Sequence, residues 1–266
     1  MLSSAKKEMR REAINRARRV LNVDGNRLKL ACAVLICTCV SIIMWLVSSL
    51  STMVLDMIGG VEEYLYYPIA SGLLYLLIIF LVAPLYVGCY KMALSMLAGE
   101  NAQVVDIFDT FSSAKAYSRA LRLSIGCFLR ILPIIIAWRI HVTMDYLSYW
   151  FVFFDITVKM VNIFYIPVAL LLVLFACGSF GSFGFAYMLE EQKLRKTRKY
   201  ARKARKGNRT SAILIAYSTL LKLILSVFTL GIMTVLHVVP MAMLSYGAMA
   251  MSLKDKFDIN NERTDI

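Results

Sequence analysis

Apolar residues in this chain come in long unbroken runs, without the alternation of half-buried strands or the heptads of a coiled coil. The first covers residues 30–55, between Lys29 and Asp56, and the second 64–90, between Glu63 and Lys91. Each exceeds the roughly 20 residues that carry an α-helix across a bilayer. A weaker run at 120–138 is broken by Arg122 and Arg130, and another covers 160–189. The last apolar stretch, 210–253, holds one charge, Lys222. As a single helix it would be about 66 Å long, twice the hydrocarbon thickness, so it has to fold back. Thr229-Leu230-Gly231 predicts the turn, because glycine accepts the backbone angles of a tight reversal. The pattern therefore predicts an all-α integral membrane bundle of six helices: 30–55, 64–90, 120–138, 160–189, 210–229 and 231–253.

Ahead of the first span, in residues 1–29, the period changes. Met9, Ala13, Ile14, Ala17, Val20 and Leu21 share one helical face, surrounded by Lys and Arg, and Asn22, Asp24, Gly25 and Asn26 end the helix. This predicts an N-terminal amphipathic helix lying in the membrane interface. It is not a cleavable signal: the charged region and the hydrophobic run after it are both too long.

Composition agrees with a membrane protein. Hydrophobic residues make up 59%, charged residues 18%, and mean hydropathy is +0.67. A soluble chain is about half apolar and a quarter charged. The net charge of +13 would suggest nucleic acid in a soluble protein, but in a membrane protein the placement of Lys and Arg sets orientation. Nine precede the first span, and none lies between the first two. The next connection carries Lys91, Lys115, Arg119 and Arg122; the one after it only Arg139 and Lys159. The loop 190–209 holds ten, the fifth connection none, and the tail 254–266 has Lys254, Lys256 and Arg263. Rich and poor alternate without a break, which predicts both termini in the cytoplasm.

The basic loop comprises Lys193, Arg195, Lys196, Arg198, Lys199, Arg202, Lys203, Arg205, Lys206 and Arg209, with no acid among them. Glu190 and Glu191 just before it predict that the fourth span continues as a helix into the cytoplasm, its positive end complemented by the glutamates. Cations near an anionic leaflet gain about 1 kcal/mol each, so the expected partners are the bilayer and its anionic phospholipid. Nucleic acid would need a stacking platform, and only Tyr200 is at hand.

The remaining polar inventory is thin. All 17 acids lie outside the spans, which removes carboxylate proton relays and intramembrane aspartyl chemistry. His141 and His237 are isolated, and no zinc-protease, nucleophile-elbow or phosphate-loop motif occurs. No catalytic residue, metal or cofactor is expected. Lys115, Arg119, Arg122, Gly126, Arg130 and Pro133 form one stripe on the third helix; Ser211, Ser218, Lys222, Ser226 and Thr229 fall on one side of the fifth. Arg130, Lys222 and Arg122 are thus candidate ligand-binding cations, the alternative being that their long stems snorkel to an interface. Met233, His237 and Met241, spaced by four, would offer soft ligands suited to Cu(I), although methionine fills cores routinely. The six cysteines (Cys32, Cys37, Cys39, Cys89, Cys127 and Cys177) fall inside spans and read as packing residues. So do Gly178, Gly181 and Gly184, which permit close helix contact. Tyr146, Tyr149, Trp150, Phe151, Phe153 and Phe154 predict a segment in the outer interface. Pro84, Pro133, Pro167 and Pro240 each free a carbonyl that a neighbouring element must satisfy.

Several short strings carry a resemblance. Pro84-Leu85-x-x-Gly88 is followed by Asp106-Ile107-Phe108-Asp109-Thr110-Phe111; Lys206-Gly207-Asn208-Arg209 introduces the fifth span, and Thr229-Leu230-Gly231-Ile232 precedes Pro240. With the basic leading helix, these resemble the Firmicutes membrane family catalogued as domain of unknown function nine-seven-five. The resemblance implies a six-helix protein of a bacterial cytoplasmic membrane and brings no activity. The sequence thus points to a non-catalytic accessory or helper subunit in envelope transport, working with membrane or ATPase partner proteins. The alternatives are a transporter of an anionic or amphipathic solute near Arg130 and, third, an intramembrane enzyme.

Overall fold

The computed structural model describes residues 4–58, 63–125, 193–226, 229 and 231–264, and every regular element among them is helical. In chain order these are α1 (Ser4–Leu21), α2 (Asn26–Ile58), α3 (Glu63–Ala98), a 3-10 segment (Val104–Phe111) and α4 (residues 114–125). After them come α5 (Leu194–Arg205), α6 (Arg209–Ser226), a π-helical segment (Thr234–Val238) and α7 (Val239–Thr264). Three stretches are long and apolar enough to cross a membrane: Asn26–Ser51, Ile79–Ala98 and Thr234–Lys256. Thr210–Ser226 is apolar but shorter. These correspond to the first, second, sixth and fifth expected spans. Residues 120–125 of the third lie in α4, and the rest of it, with Arg130, the aromatic loop and the fourth span, lies outside the described residues.

Helix lengths exceed what a bilayer needs. α2 has 33 residues and α3 has 36, or about 50 and 54 Å against about 30 Å of hydrocarbon. The first turns of α2 and the last turns of α3 pack together with α7. There Leu30, Ala33, Val34 and Cys37 of α2 share a core with Met92, Leu94 and Leu97 of α3 and with Leu244, Ala248, Met249 and Leu253 of α7. Ala102, Ile107, Ala120, Ala201 and Ala212 complete it from four further elements or their flanks. So many alanines let helix backbones approach closely. Farther along α2 the side chains grow and lose their cover: Ile42, Ile43, Trp45, Leu46, Leu50, Met53 and Met57 are all exposed.

The N-terminal helix has a protein partner that the sequence does not announce. α1 ends at Leu21, as the Asn22–Asn26 punctuation predicts, and part of its apolar face packs on another helix. Met9, Ala13, Ala17 and Leu21, one residue per turn, are buried, and the helix packs mainly on α7. Ala13 and Ala17 make that face flat enough for another helix. Ile14 and Val20, on the same face, are only partly buried. On its flank the Arg16 guanidinium donates to the Leu97 carbonyl at 3.1 Å, placing a cation on the negative end of α3. Gly99 closes that end with φ +88°: its amide bonds Met96 and the Glu100 amide bonds Ser95, a left-handed cap only glycine takes without strain.

The expected reversal between the fifth and sixth spans is also present. α6 stops at Ser226, and Gly231 takes φ +78° with its amide on the Ser226 carbonyl. Ser226, Thr229 and Thr234 hydroxyls tie the corner together. Pro84 frees the carbonyl four residues back, and a neighbour satisfies it: the Tyr117 hydroxyl donates to Phe80 O at 3.0 Å.

Candidate functional site

α5 is where the expected lipid-contact residues gather. Its small side chains face inward, Thr197 and Ala201 buried and Tyr200 half-buried against the core, and the helix rests on α7. Lys193, Arg195, Lys196, Lys199, Arg202, Lys203 and Lys206 are exposed. Arg198 and Arg205 take helical positions in α5, and Arg209 opens α6. The expected continuity with the fourth span does not hold at Lys193. That residue is the N-cap, with extended ψ of 130°, and the first turn of α5 holds no acid. Glu190 and Glu191 lie outside the described residues. The positive end of the helix thus carries Lys193, Arg195 and Lys196, an arrangement disfavoured by about 0.3–1 kcal/mol per cation in isolation and favourable to an anion. Gly207, at φ +88°, ends the helix, and the Asn208 carbonyl receives the Ala212 amide to begin α6.

Lys222 lines a small recess between α1, α6 and α7, together with Ile14, Ser218, Thr219, Met241 and Ser245. The space suits about one water molecule. Ser218 and Thr219 donate to Ile215 O at 2.8 and 2.9 Å, leaving only lone pairs toward the recess. Beside the recess-lining Val238 stands His237, whose buried Nδ1 has no hydrogen-bond partner among the described residues. Of the candidate cations, Lys222 lines the recess. Arg122 is exposed on α4, and Arg130 lies outside the described residues. Thr219 and Ser245 are additions that sequence reasoning missed, because the polar side of the fifth span includes neither.

Met233, His237 and Met241 do not form the stack their spacing predicts. The π segment closes its turn by i→i+5, with the Val239 amide on Thr234 O, which rotates His237 relative to Met241. Met241 is buried and Met233 exposed. Among the described residues no three His, Cys, Asp or Glu side chains gather as metal ligands. Cys37 and Cys89 are buried, and Cys89 Sγ lies 3.9 Å from Met243 Sδ, a soft contact joining α3 to α7.

Two of the strings singled out in the sequence, Pro84-Leu85-x-x-Gly88 and Asp106–Phe111, meet in space. A Cβ on Gly88 would lie 2.0 Å from the Ile107 carbonyl oxygen, so only glycine lets the 3-10 segment seat on α3. Thr110 Oγ1 donates to Pro84 O at 3.1 Å, and Lys91 pairs with Asp109 at 3.2 Å. No family model, curated protein or solved structure matches the chain.

Proposed function

We propose that the chain is a six-span protein of a bacterial cytoplasmic membrane, with both termini inside. It acts without catalysis, as an accessory or helper subunit in envelope transport that holds anionic phospholipid at its cytoplasmic face. The resemblance to the Firmicutes family and the alternating loop charges support the topology. α5 carries the functional part of the reading: a helix whose Thr197 and Ala201 are packed, whose first turn holds no acid, and on which Lys193, Arg195, Lys196, Lys199, Arg202, Lys203 and Lys206 are exposed. The recess beside Lys222 takes about one water molecule, and Arg130, on which the alternative of a transporter of an anionic or amphipathic solute rests, lies outside the described residues.

The test uses the full chain purified in mild detergent, with retained phospholipid identified by mass spectrometry. Wild-type protein should keep anionic over neutral lipid and release it in high salt. Replacing four exposed cations together (Arg195→Gln, Lys196→Gln, Lys199→Gln, Arg202→Gln) should abolish most of that preference, at about 1 kcal/mol per cation. Equal retention by the variant, or retention indifferent to salt, would contradict the reading.

A further inference from the structure

The chain leaves α3 at Ala98 and, twelve residues later, is back beside it at Thr110 and Pro84. That is 14 residues up the helix, about 20 Å at 1.5 Å per residue. Tyr117 then reaches Phe80. The 3-10 segment between these points therefore lies alongside Ile79–Ala98, a stretch apolar enough to span a membrane.

A 3-10 helix has three residues per turn, so its side chains form three straight rows. Here each row has a different character. Ile107 and Thr110 are buried on α3. Asp106, Asp109 and Ser112 are polar, with Asp106 Oδ2 accepting the Gln103 amide at 2.7 Å and Asp109 held by Lys91. Val105, Phe108 and Phe111 form the third row, and they are 72, 47 and 37% exposed. A water-facing loop has no reason to line up three large apolar residues beside a polar row. The exposed row is also continuous with the spanning helix. Phe111 sits 5.7 Å, ring to ring, from Tyr117, which is bonded to Phe80, and Phe80, Leu81 and Tyr86 of α3 are themselves exposed.

We propose that the 3-10 segment is a lipid-inserted wedge, with Val105, Phe108 and Phe111 among the acyl chains at the inner edge of the bilayer and the Asp109–Lys91 pair at the headgroup level. It rests on the reading of the chain as membrane-embedded. The polar row stays with water and headgroups, the buried row fixes the wedge to α3, and the apolar row gains from leaving water. The wedge is an anchor separate from the cationic surface of α5 and, being apolar, does not depend on salt.

Single-tryptophan variants of the full chain, reconstituted in vesicles, test this. In a background with Trp45→Phe, Trp138→Phe and Trp150→Phe, a Phe108→Trp reporter should be quenched by lipid brominated near the headgroup. That quenching should be about twofold stronger than with lipid brominated near the chain ends, as for a side chain buried 5–10 Å deep. Aqueous iodide should quench it little. Val105→Trp, at the most exposed position of the row, gives the same readout where Phe108→Trp disturbs folding. Strong iodide quenching with no response to brominated lipid would overturn the wedge. Native Trp45, kept alone, separates the two failures. Lipid quenching of Trp45 with an iodide-sensitive reporter removes the wedge and leaves the membrane reading, whereas a lipid-insensitive Trp45 removes both.

Discussion

Met92, Ala93, Leu94, Met96 and Leu97 at the end of α3 are covered by protein, whereas Ile42, Ile43, Trp45, Leu46 and Leu50 of α2 stand open. Both groups belong to stretches apolar enough to span a membrane. Hydropathy therefore does not distinguish an apolar surface meant for another helix from one meant for lipid. Residue size does. The covered end is built on alanines (Ala13, Ala17, Ala33, Ala93, Ala212, Ala248 and Ala250), and the open stretch on Ile, Leu, Trp and Met. Small residues bring backbones together, and in lipid that contact is what holds helices, because lipid tails are as apolar as leucine. Side-chain bonds to backbone carbonyls reinforce the covered end: Arg16 to Leu97, Thr110 to Pro84, Tyr246 to Ala212.

The largest effect should come from truncating equal residues in the two regions. Leu94→Ala removes a fully buried side chain and should cost about 2–5 kcal/mol, whereas Leu50→Ala, facing out, should stay within about 0.5 kcal/mol. Unfolding in mixed detergent–SDS micelles measures both. Similar losses at the two sites would mean that α2 is covered by something after all.

Next comes Gly88→Ala, which sets a methyl against the Ile107 backbone and should destabilise by about 1–3 kcal/mol. An unchanged unfolding curve would unseat the 3-10 segment from α3. The smallest of the three is Tyr117→Phe. It leaves the Phe80 carbonyl, already freed by Pro84, without its donor, for about 0.5–1.5 kcal/mol. No change at all would place another donor, such as water, at that carbonyl.

Much of this division is legible in the sequence, in the features that depend on neighbours along the chain. The end of α1 at Leu21, the reversal at Gly231 and the need for a partner at Pro84 all follow from local backbone chemistry. The basic stretch in α5 is equally plain. Other features depend on what lies opposite, and one sequence does not display that. The face of Met9, Ala13 and Ala17 would suit lipid or a helix, and only α7 decides between them. The return of Ile107 to Gly88 joins residues 19 apart through a missing Cβ, with no periodic signal to announce it. Ser245 reads as one more small residue of the sixth span until the fold sets it in the recess beside Lys222. The π turn breaks the spacing on which the Met233, His237 and Met241 alignment rested.

The central claim is that the alanine-built end, with its basic helix, faces the cytoplasm while the open end of α2 crosses the bilayer. Cysteine accessibility tests it most directly, in a variant with the six native cysteines replaced. A membrane-impermeant maleimide should label Glu62→Cys in intact cells, and should label Lys199→Cys only after the membrane is permeabilised. Labelling of Lys199→Cys from outside, with Glu62→Cys protected, would invert the orientation and remove anionic cytoplasmic lipid as the partner of α5.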